Sequence, residues 1–465
     1  MRLPTIGPLL RQYLVVILVN LCVVCTGLGL AWPSPVLVKL RNETETVLSR
    51  PMTDEEGSWI VSIGFITGIP PNFLSAYLVD KIGRKYCIIL SCVPKILVGL
   101  LFTFASEVWM LMLGRALLGI SDAFVFTVVP IYASEIASKE IRGALGTILQ
   151  ILCSLGVVIM LCMGPFISYV NLNVIFTVFT IVSTIPLIFL PDSPYFLYSK
   201  GKNKEAFEVL KMLRGTEILA NEELKEYALE DHKVDVKITE LFRNRIFLKS
   251  FGIVIFIGIL IQAIGFNSIS FYLQTILEST KTSVKPEVAS VIIGIIQLVA
   301  SVCTTLVTDR FGRKPILSTT LVGMTVGMIG LGVFFKLKDS GPISGAMNFL
   351  PIVSLILVVF GYSAGVGSLV WVLTAELFED SARGIGICLS SVLSYISLFL
   401  MTKYFEQMVT AIGPAVTYWI FSVNGVIFTL FILFCIPETK GKSFSEIQIA
   451  LGAKDRNIAE EKTKC

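Results

Sequence analysis

Asp80-Lys81-Ile82-Gly83-Arg84-Lys85 and Asp309-Arg310-Phe311-Gly312-Arg313-Lys314 are near copies of each other, and each follows directly on a long apolar run. Four charges in six residues would each cost several kcal/mol within hydrocarbon, so neither phrase lies there. Each must cap a membrane helix on its water side. The same device is used once in each half of the chain, which predicts a membrane protein assembled from two like halves.

Working outward, apolar residues make up 54% of the 465-residue chain and charged ones 15%, well below the quarter or so usual in soluble proteins. The apolar content falls into runs of the length that crosses a bilayer as helix. Twelve are read, at about 13–35, 58–79, 86–105, 108–132, 146–168, 172–191, 250–277, 287–308, 315–336, 349–373, 385–405 and 413–436. The first is full length and lacks a small-residue cleavage site, so it is expected to stay as helix one rather than leave as a signal peptide. The fold class is therefore all-α integral membrane.

Orientation follows from the cations of the short loops. Arg2 and Arg11 precede helix one, Lys81, Arg84 and Lys85 join helices two and three, and Arg310, Arg313 and Lys314 join eight and nine. Both termini are then cytoplasmic and the segment 36–57 is outside. That segment carries the sequon Asn42-Glu43-Thr44, which predicts glycosylation at Asn42. The net charge of +4 reflects this inside bias; no basic tract with interleaved aromatics suggests nucleic acid. The ten cysteines avoid the outer loops, so no structural disulfide is expected. Cys22 and Cys25, although spaced as C-x-x-C, read as packing in an apolar helix. With one histidine, His232, in a polar stretch, a histidine-ligated metal site is not expected.

The duplicated phrase has company. Glu135 precedes Arg142-Gly143 by seven residues, and Glu376 precedes Arg383-Gly384 at the same spacing. Pro191-Asp192-Ser193-Pro194 closes helix six and Pro437-Glu438-Thr439-Lys440 closes helix twelve. Paired signals recurring in one order predict parallel halves of six helices. The expected organisation is an N-terminal bundle over 1–191, a cytoplasmic linker over 192–248, a C-terminal bundle over 249–445 and a tail over 446–465. Within the linker, Ala206, Phe207, Leu210, Leu213, Leu224, Tyr227 and Leu229 recur at helical spacing and predict short amphipathic helices.

These motifs together resemble the sugar porters of the major facilitator superfamily, most of all the insect facilitated trehalose transporters. The resemblance rests on Gly114-Arg115, on Pro130-Ile131-Tyr132-Ala133-Ser134-Glu135 with Arg142-Gly143, and on Pro191-Asp192-Ser193-Pro194. In the second half it rests on Gln262 with Gly265-Phe266-Asn267, on Trp371, Glu376 and Arg383-Gly384, and on Pro437-Glu438-Thr439-Lys440-Gly441-Lys442. It covers about residues 10–445 and implies a major facilitator fold in which two bundles rock about a wet central site.

A neutral sugar is best held by amides, which both donate and accept, and by an aromatic platform. Gln150, Gln262, Asn267 and Gln297 lie near mid-depth in the predicted helices, where each would be costly against lipid. Read from the residues alone, they are either sugar ligands or interhelical glue; the resemblance implies that they contact the sugar. It further implies that Trp371 floors the cavity and that Tyr272 is its outer aromatic gate. Asp80, Arg84, Glu135 and Arg142, with Asp309, Arg313, Glu376 and Arg383, all fall at cytoplasmic helix ends. They read as a gate whose weak individual ion pairs bias a two-state equilibrium without locking it.

The chain departs from the family pattern in several places. Ile261 replaces the first of two adjacent glutamines in helix seven. Helix ten, Tyr362-Ser363-Ala364-Gly365-Val366-Gly367-Ser368, lacks both usual prolines and is expected to bend less readily without them. The resemblance also does not supply Lys95, midway along helix three, or Asp122, at similar depth in helix four. Each is costly alone and tolerable opposed, so a Lys95–Asp122 pair of structural role is expected.

Helix one carries no Asp or Glu over 21–32, whereas proton-linked sugar porters place a carboxylate there, so facilitated diffusion is expected. No nucleotide motif, metal constellation or nucleophile–base set is present, so neither an enzyme nor a cofactor is expected. The expected function is facilitative transport of trehalose or a hexose by alternating access across the plasma membrane. The partners are the sugar and the bilayer, and oligomeric state is not readable. A sugar-sensing receptor-like protein with little transport, or a carrier of a non-sugar organic solute, stays open at this point.

Overall fold

The structure is a computed structural model. It describes residues 7–451 apart from 139–140, 231–240, 342, 344, 379, 441, 443–445, 448 and 450; the side chains at 142–144, 229–230, 305–310, 371–372, 375 and 380–385 also lie outside it. Among the described residues, 12 helical segments are long and apolar enough to cross a membrane. The first six are Pro8–Arg41, Asp54–Ile82, Arg84–Thr103, Val108–Ile136, Leu145–Met163 and Tyr169–Phe189. The second six are Arg245–Phe271, Pro286–Thr304, Arg313–Ser340, Gly345–Val370, Gly386–Ile412 and Pro414–Cys435. They are called spans one to twelve below.

The chain packs as two compact units. The first comprises Met1–Lys233, Ser268–Leu298 and Thr402–Glu406; the second comprises Val234–Asn267, Val299–Met401 and Gln407–Cys465. In the first, span three packs on spans four and six, and span one on spans five and six. In the second, span nine packs on spans ten and twelve, and span seven on span twelve. Three pairings therefore repeat with a shift of six spans, which is the duplication seen in packing rather than in sequence.

Several spans are broken where the sequence interrupts their hydrogen-bond ladder. Span one is two helices, Pro8–Ala31 and Pro33–Arg41, because proline lacks the amide hydrogen that would continue the first. Span two, opened by a Thr53–Glu56 capping box, divides at Gly68 ahead of Pro70 and Pro71. In the first half of span two, Arg115 of span four donates to Ile60 O at 2.9 Å and Val61 O at 3.3 Å, and also to Gly29 O of span one at 2.9 Å. Spans two and four can approach this closely because glycines face each other: a Cβ on Gly119 would lie 2.0 Å from Gly64 O.

Span seven, expected as one run over 250–277, is instead Arg245–Ala263 followed by short helices Phe266–Phe271 and Leu273–Thr280. The interruption is Gly265, whose φ of +78° takes it out of helical space. The linker forms helices Pro194–Ser199, Asn203–Arg214 and Glu217–Glu230, with Ala206, Leu210 and Leu213 fully buried. Arg214 ties this layer to the inner end of span four, donating to Ile136 O at 2.8 Å while pairing with Glu223 at 2.7 Å.

Candidate functional site

The break in span seven positions the amides of the second unit. Gln262 sits in the last turn before it and Asn267 just after it. Asn267 Nδ2 donates to Gln262 Oε1 at 2.7 Å, and Gln262 Nε2 donates to Ser394 Oγ of span eleven at 3.2 Å. Asn424 of span twelve donates to Ala263 O at 2.9 Å, satisfying a carbonyl freed by the break. Gln262 is buried and Asn267 only partly so, leaving that end of the amide chain open to a polar ligand.

Span ten lies against this break. Phe266 stacks on Tyr362 with ring centroids 3.5 Å apart and planes within 6°. Tyr362–Val366 is a π-helical turn between Leu350–Gly361 and Gly367–Glu376. The regular ladder is thus interrupted without proline. The wider turn is accommodated by Gly361 and Gly365, which pack onto span nine, and Thr304 Oγ1 of span eight's helix donates to Ser363 O at 3.2 Å.

In the first unit, Gln150 on span five and Gln297 on span eight are both partly buried. Tyr272 is 1% exposed, its ring stacked on Phe405 at 5.3 Å and its hydroxyl donating to Thr402 O at 3.4 Å. Around it lies a charged cluster that sequence reading missed. Arg41 pairs with Glu406 at 2.6 Å and Asp54 at 3.3 Å, while Lys403 donates to Ser58 Oγ at 2.8 Å and stands 4.2 Å over the Trp59 ring. The only signal was the presence of Lys403 and Glu406 in an otherwise apolar run. Their partner Arg41 is hundreds of residues away and looks like an ordinary helix-end cation. Gln274 N donates to Ser34 Oγ at 3.1 Å, tying span one to the segment after the span-seven break.

At the junctions of spans two and three and of spans eight and nine the duplicated phrases adopt one geometry twice. Gly83 and Gly312 have φ of +95° and +89°, conformations that favour glycine, and each starts the next span. Arg84 donates to Glu135 at 2.8 and 2.9 Å and to Asp80 at 3.3 Å; Arg313 donates to Glu376 at 3.2 Å. Lys85 N donates to Asp192 at 3.3 Å, whereas Arg313 N and Lys314 N donate to Glu438 at 3.1 and 3.0 Å. Thr439 N and Lys440 N also donate to Glu438, at 3.0 and 2.9 Å. Burial pushes the Glu438 carboxyl up, but these four amides outweigh it and hold the group below its usual range. The ion pairs named here are made within one unit or the other. The side chains of Arg142, Asp309, Trp371 and Arg383 lie outside the described residues.

Two further expectations have a definite geometry. Lys95 Nζ is 3.0 Å from Asp122 Oδ1, with Thr26 as a shared partner. Asn42 is exposed, and its Oδ1 accepts from Thr44 N at 3.0 Å and Thr44 Oγ1 at 2.9 Å.

Residues 33–451 match the family described as Sugar (and other) transporter. The chain belongs to it. Among similar proteins, the facilitated trehalose transporter Tret1 of Polypedilum vanderplanki is 29% identical over 463 residues, covering 98% of this transporter and 91% of that protein. The Tret1-2 homolog of Drosophila simulans is 28% identical over 442 residues, covering 94% and 90%. The inward-open xylose transporter XylE from E. coli superposes with a TM-score of 0.78 at 21% identity, covering 95% of this transporter and 99% of XylE. The transporter thus has the all-α major facilitator fold and is a multi-pass membrane protein.

Proposed function

We propose that the transporter moves a sugar, trehalose or a hexose, down its gradient by alternating access. The observation that carries this reading is the Gln262–Asn267 amide chain presented at a helix break. It is a neutral donor–acceptor array suited to a polyhydroxyl solute. Family membership and the names of the similar proteins support the same substrate class. On the family resemblance we also assign Gln150, Gln297 and Trp371 to sugar contact and Tyr272 to the outer aromatic gate. Asp80, Arg84, Glu135 and Arg142, with Asp309, Arg313, Glu376 and Arg383, form the inner gate.

Uniport is supported by the first span, in which no Asp or Glu lies between Pro8 and Arg41. We place both termini in the cytoplasm on the cation bias of the loops, and the protein in the plasma membrane by analogy with a facilitative sugar carrier. Asn42 then faces outside and carries a glycan, which Asn42→Gln would remove as a mobility shift on a gel.

The deciding experiment is counterflow of labelled trehalose and glucose in proteoliposomes. Exchange that persists with the proton gradient collapsed is the expected result. Binding without exchange would reject transport, and accumulation lost on collapse would reject uniport.

A further inference from the structure

The Lys95–Asp122 pair is more lopsided than charge neutralisation requires. Lys95 is 1% exposed, and its ammonium is held by Asp122 Oδ1 at 3.0 Å, by Thr26 Oγ1 and by Cys22 O at 3.3 Å. Thr26 Oγ1 donates at 2.9 Å to that same Asp122 oxygen, Oδ1. Among the described residues no hydrogen bond reaches Oδ2, and the aspartate side chain keeps 15% of its surface open. A carboxylate oxygen at mid-membrane depth with no protein donor must face water or a ligand, since hydrocarbon would cost several kcal/mol.

The exposed residues of span four fall in two groups. Trp109 and Leu113 form one exposed stripe, apolar as lipid requires. Asp122, exposed Phe126 and exposed Pro130, four residues apart, form another. At about 100° per residue, Asp122 stands roughly half a turn round the axis from Leu113. Spans three, one and two pack on other parts of span four. Ser121 Oγ donates to Ser91 O of span three at 2.6 Å, Leu118 packs on Gly29 of span one, and Thr127 Oγ1 donates to Asn72 Oδ1 of span two at 3.0 Å. Asp122 thus lies on the part of span four between its contacts with span one, at Leu118, and span two, at Thr127. Span five, which carries Gln150, packs against span four.

We infer that Asp122 is a substrate-binding residue: Oδ1, gripped by Lys95 and Thr26, fixes the carboxylate, and Oδ2 accepts a hydrogen bond from a sugar hydroxyl. This rests on the sugar-transport reading above. Hydrogen bonds to an ionised acceptor are roughly twice as strong as neutral ones. With Lys95 cancelling the charge, a neutral polyol can dock without an uncompensated ion beside it. Lys95 and Thr26 are positioning residues.

The test is counterflow of labelled trehalose and glucose by the full chain in proteoliposomes, with 6-deoxyglucose and 2-deoxyglucose as competitors. Asp122→Asn alone leaves Lys95 buried without its counter-charge, so the deciding variant is Lys95→Met with Asp122→Asn. It is expected to elute as a single species at wild-type yield, with half-saturating sugar concentration raised about ten- to a hundredfold. The deoxy sugar lacking the recognised hydroxyl should lose far less. Wild-type affinity in the double variant would overturn the assignment. If the double variant does not fold, Asp122→Glu, which retains the charge but moves the open oxygen by a methylene, carries the same expectation and is overturned by the same outcome. A wild-type protein that exchanges neither sugar removes the sugar reading and this assignment together. Exchange by the wild type with an unaffected double variant removes the assignment alone.

Discussion

The carboxylate of Glu438 receives the backbone N–H groups of Arg313 and Lys314 at 3.1 and 3.0 Å, pinning the start of span nine to the end of span twelve. Because these amides hold the carboxyl below its ordinary value of 4.5, the contact adds stability above that pH and loses it as pH falls through the folded value. Glu438→Gln is expected to cost about 1–2 kcal/mol at neutral pH, the lower part of the range for charge-assisted hydrogen bonds because the group is partly exposed. Thermal melts in detergent check this. Wild type and variant should converge as the medium is acidified below pH 4.5; a constant offset would show that the carboxylate charge is not the source.

Gln262→Ala removes the acceptor of Asn267 and the donor to Ser394 together. The half-saturating sugar concentration is expected to rise at least about tenfold, the equivalent of one net hydrogen bond or slightly more. Yield should change little, because the partners left behind face a polar ligand path. A variant with unchanged kinetics would reduce the amide chain to interhelical packing.

The Arg41–Glu406 contact joins the C-terminal end of span one to span eleven. Arg41→Ala and Glu406→Ala are each expected to make a cysteine placed at Ser34 several-fold more reactive toward an impermeant maleimide added outside. The double variant should add little to either single one, as expected of residues in contact. A simple charge exchange would not restore the seal, because Arg41 also meets Asp54 at 3.3 Å. Fully additive effects would show that the two residues act separately.

A Cβ at Gly365 would lie 2.0 Å from Thr320 Oγ1, inside the π-helical turn of span ten. Gly365→Ala is expected to destabilise by about 1–3 kcal/mol through overpacking, and Thr320→Ala in the same chain should recover most of it. The melting temperatures of the three proteins decide the matter. No loss in the single variant would mean that the turn relaxes freely.

Much of this architecture could be read before any coordinates. Twelve apolar runs became twelve spans because bilayer thickness sets a length that sequence displays directly. Lys95 and Asp122 could be matched because depth along neighbouring helices can be counted from their ends. The π-helical turn could not be read, since glycines at 361, 365 and 367 permit it without proline announcing it. Nor could the Arg41, Asp54 and Glu406 cluster: its members sit at the ends of three separate runs, and only tertiary packing joins them. Asp192 and Glu438 were visible as a repeated acid after each half's last helix, but their grip on backbone amides is a matter of loop geometry.

Asp192 and Glu438 occupy matching places yet differ by one methylene, and the shorter side chain secures one amide of its loop where the longer secures two. The duplicated loops are thus unequal. In a hydrogen–deuterium exchange time course the segment beginning at Gly83 should label ahead of the one beginning at Gly312, so that a machine built by copying frays first on its older-numbered side.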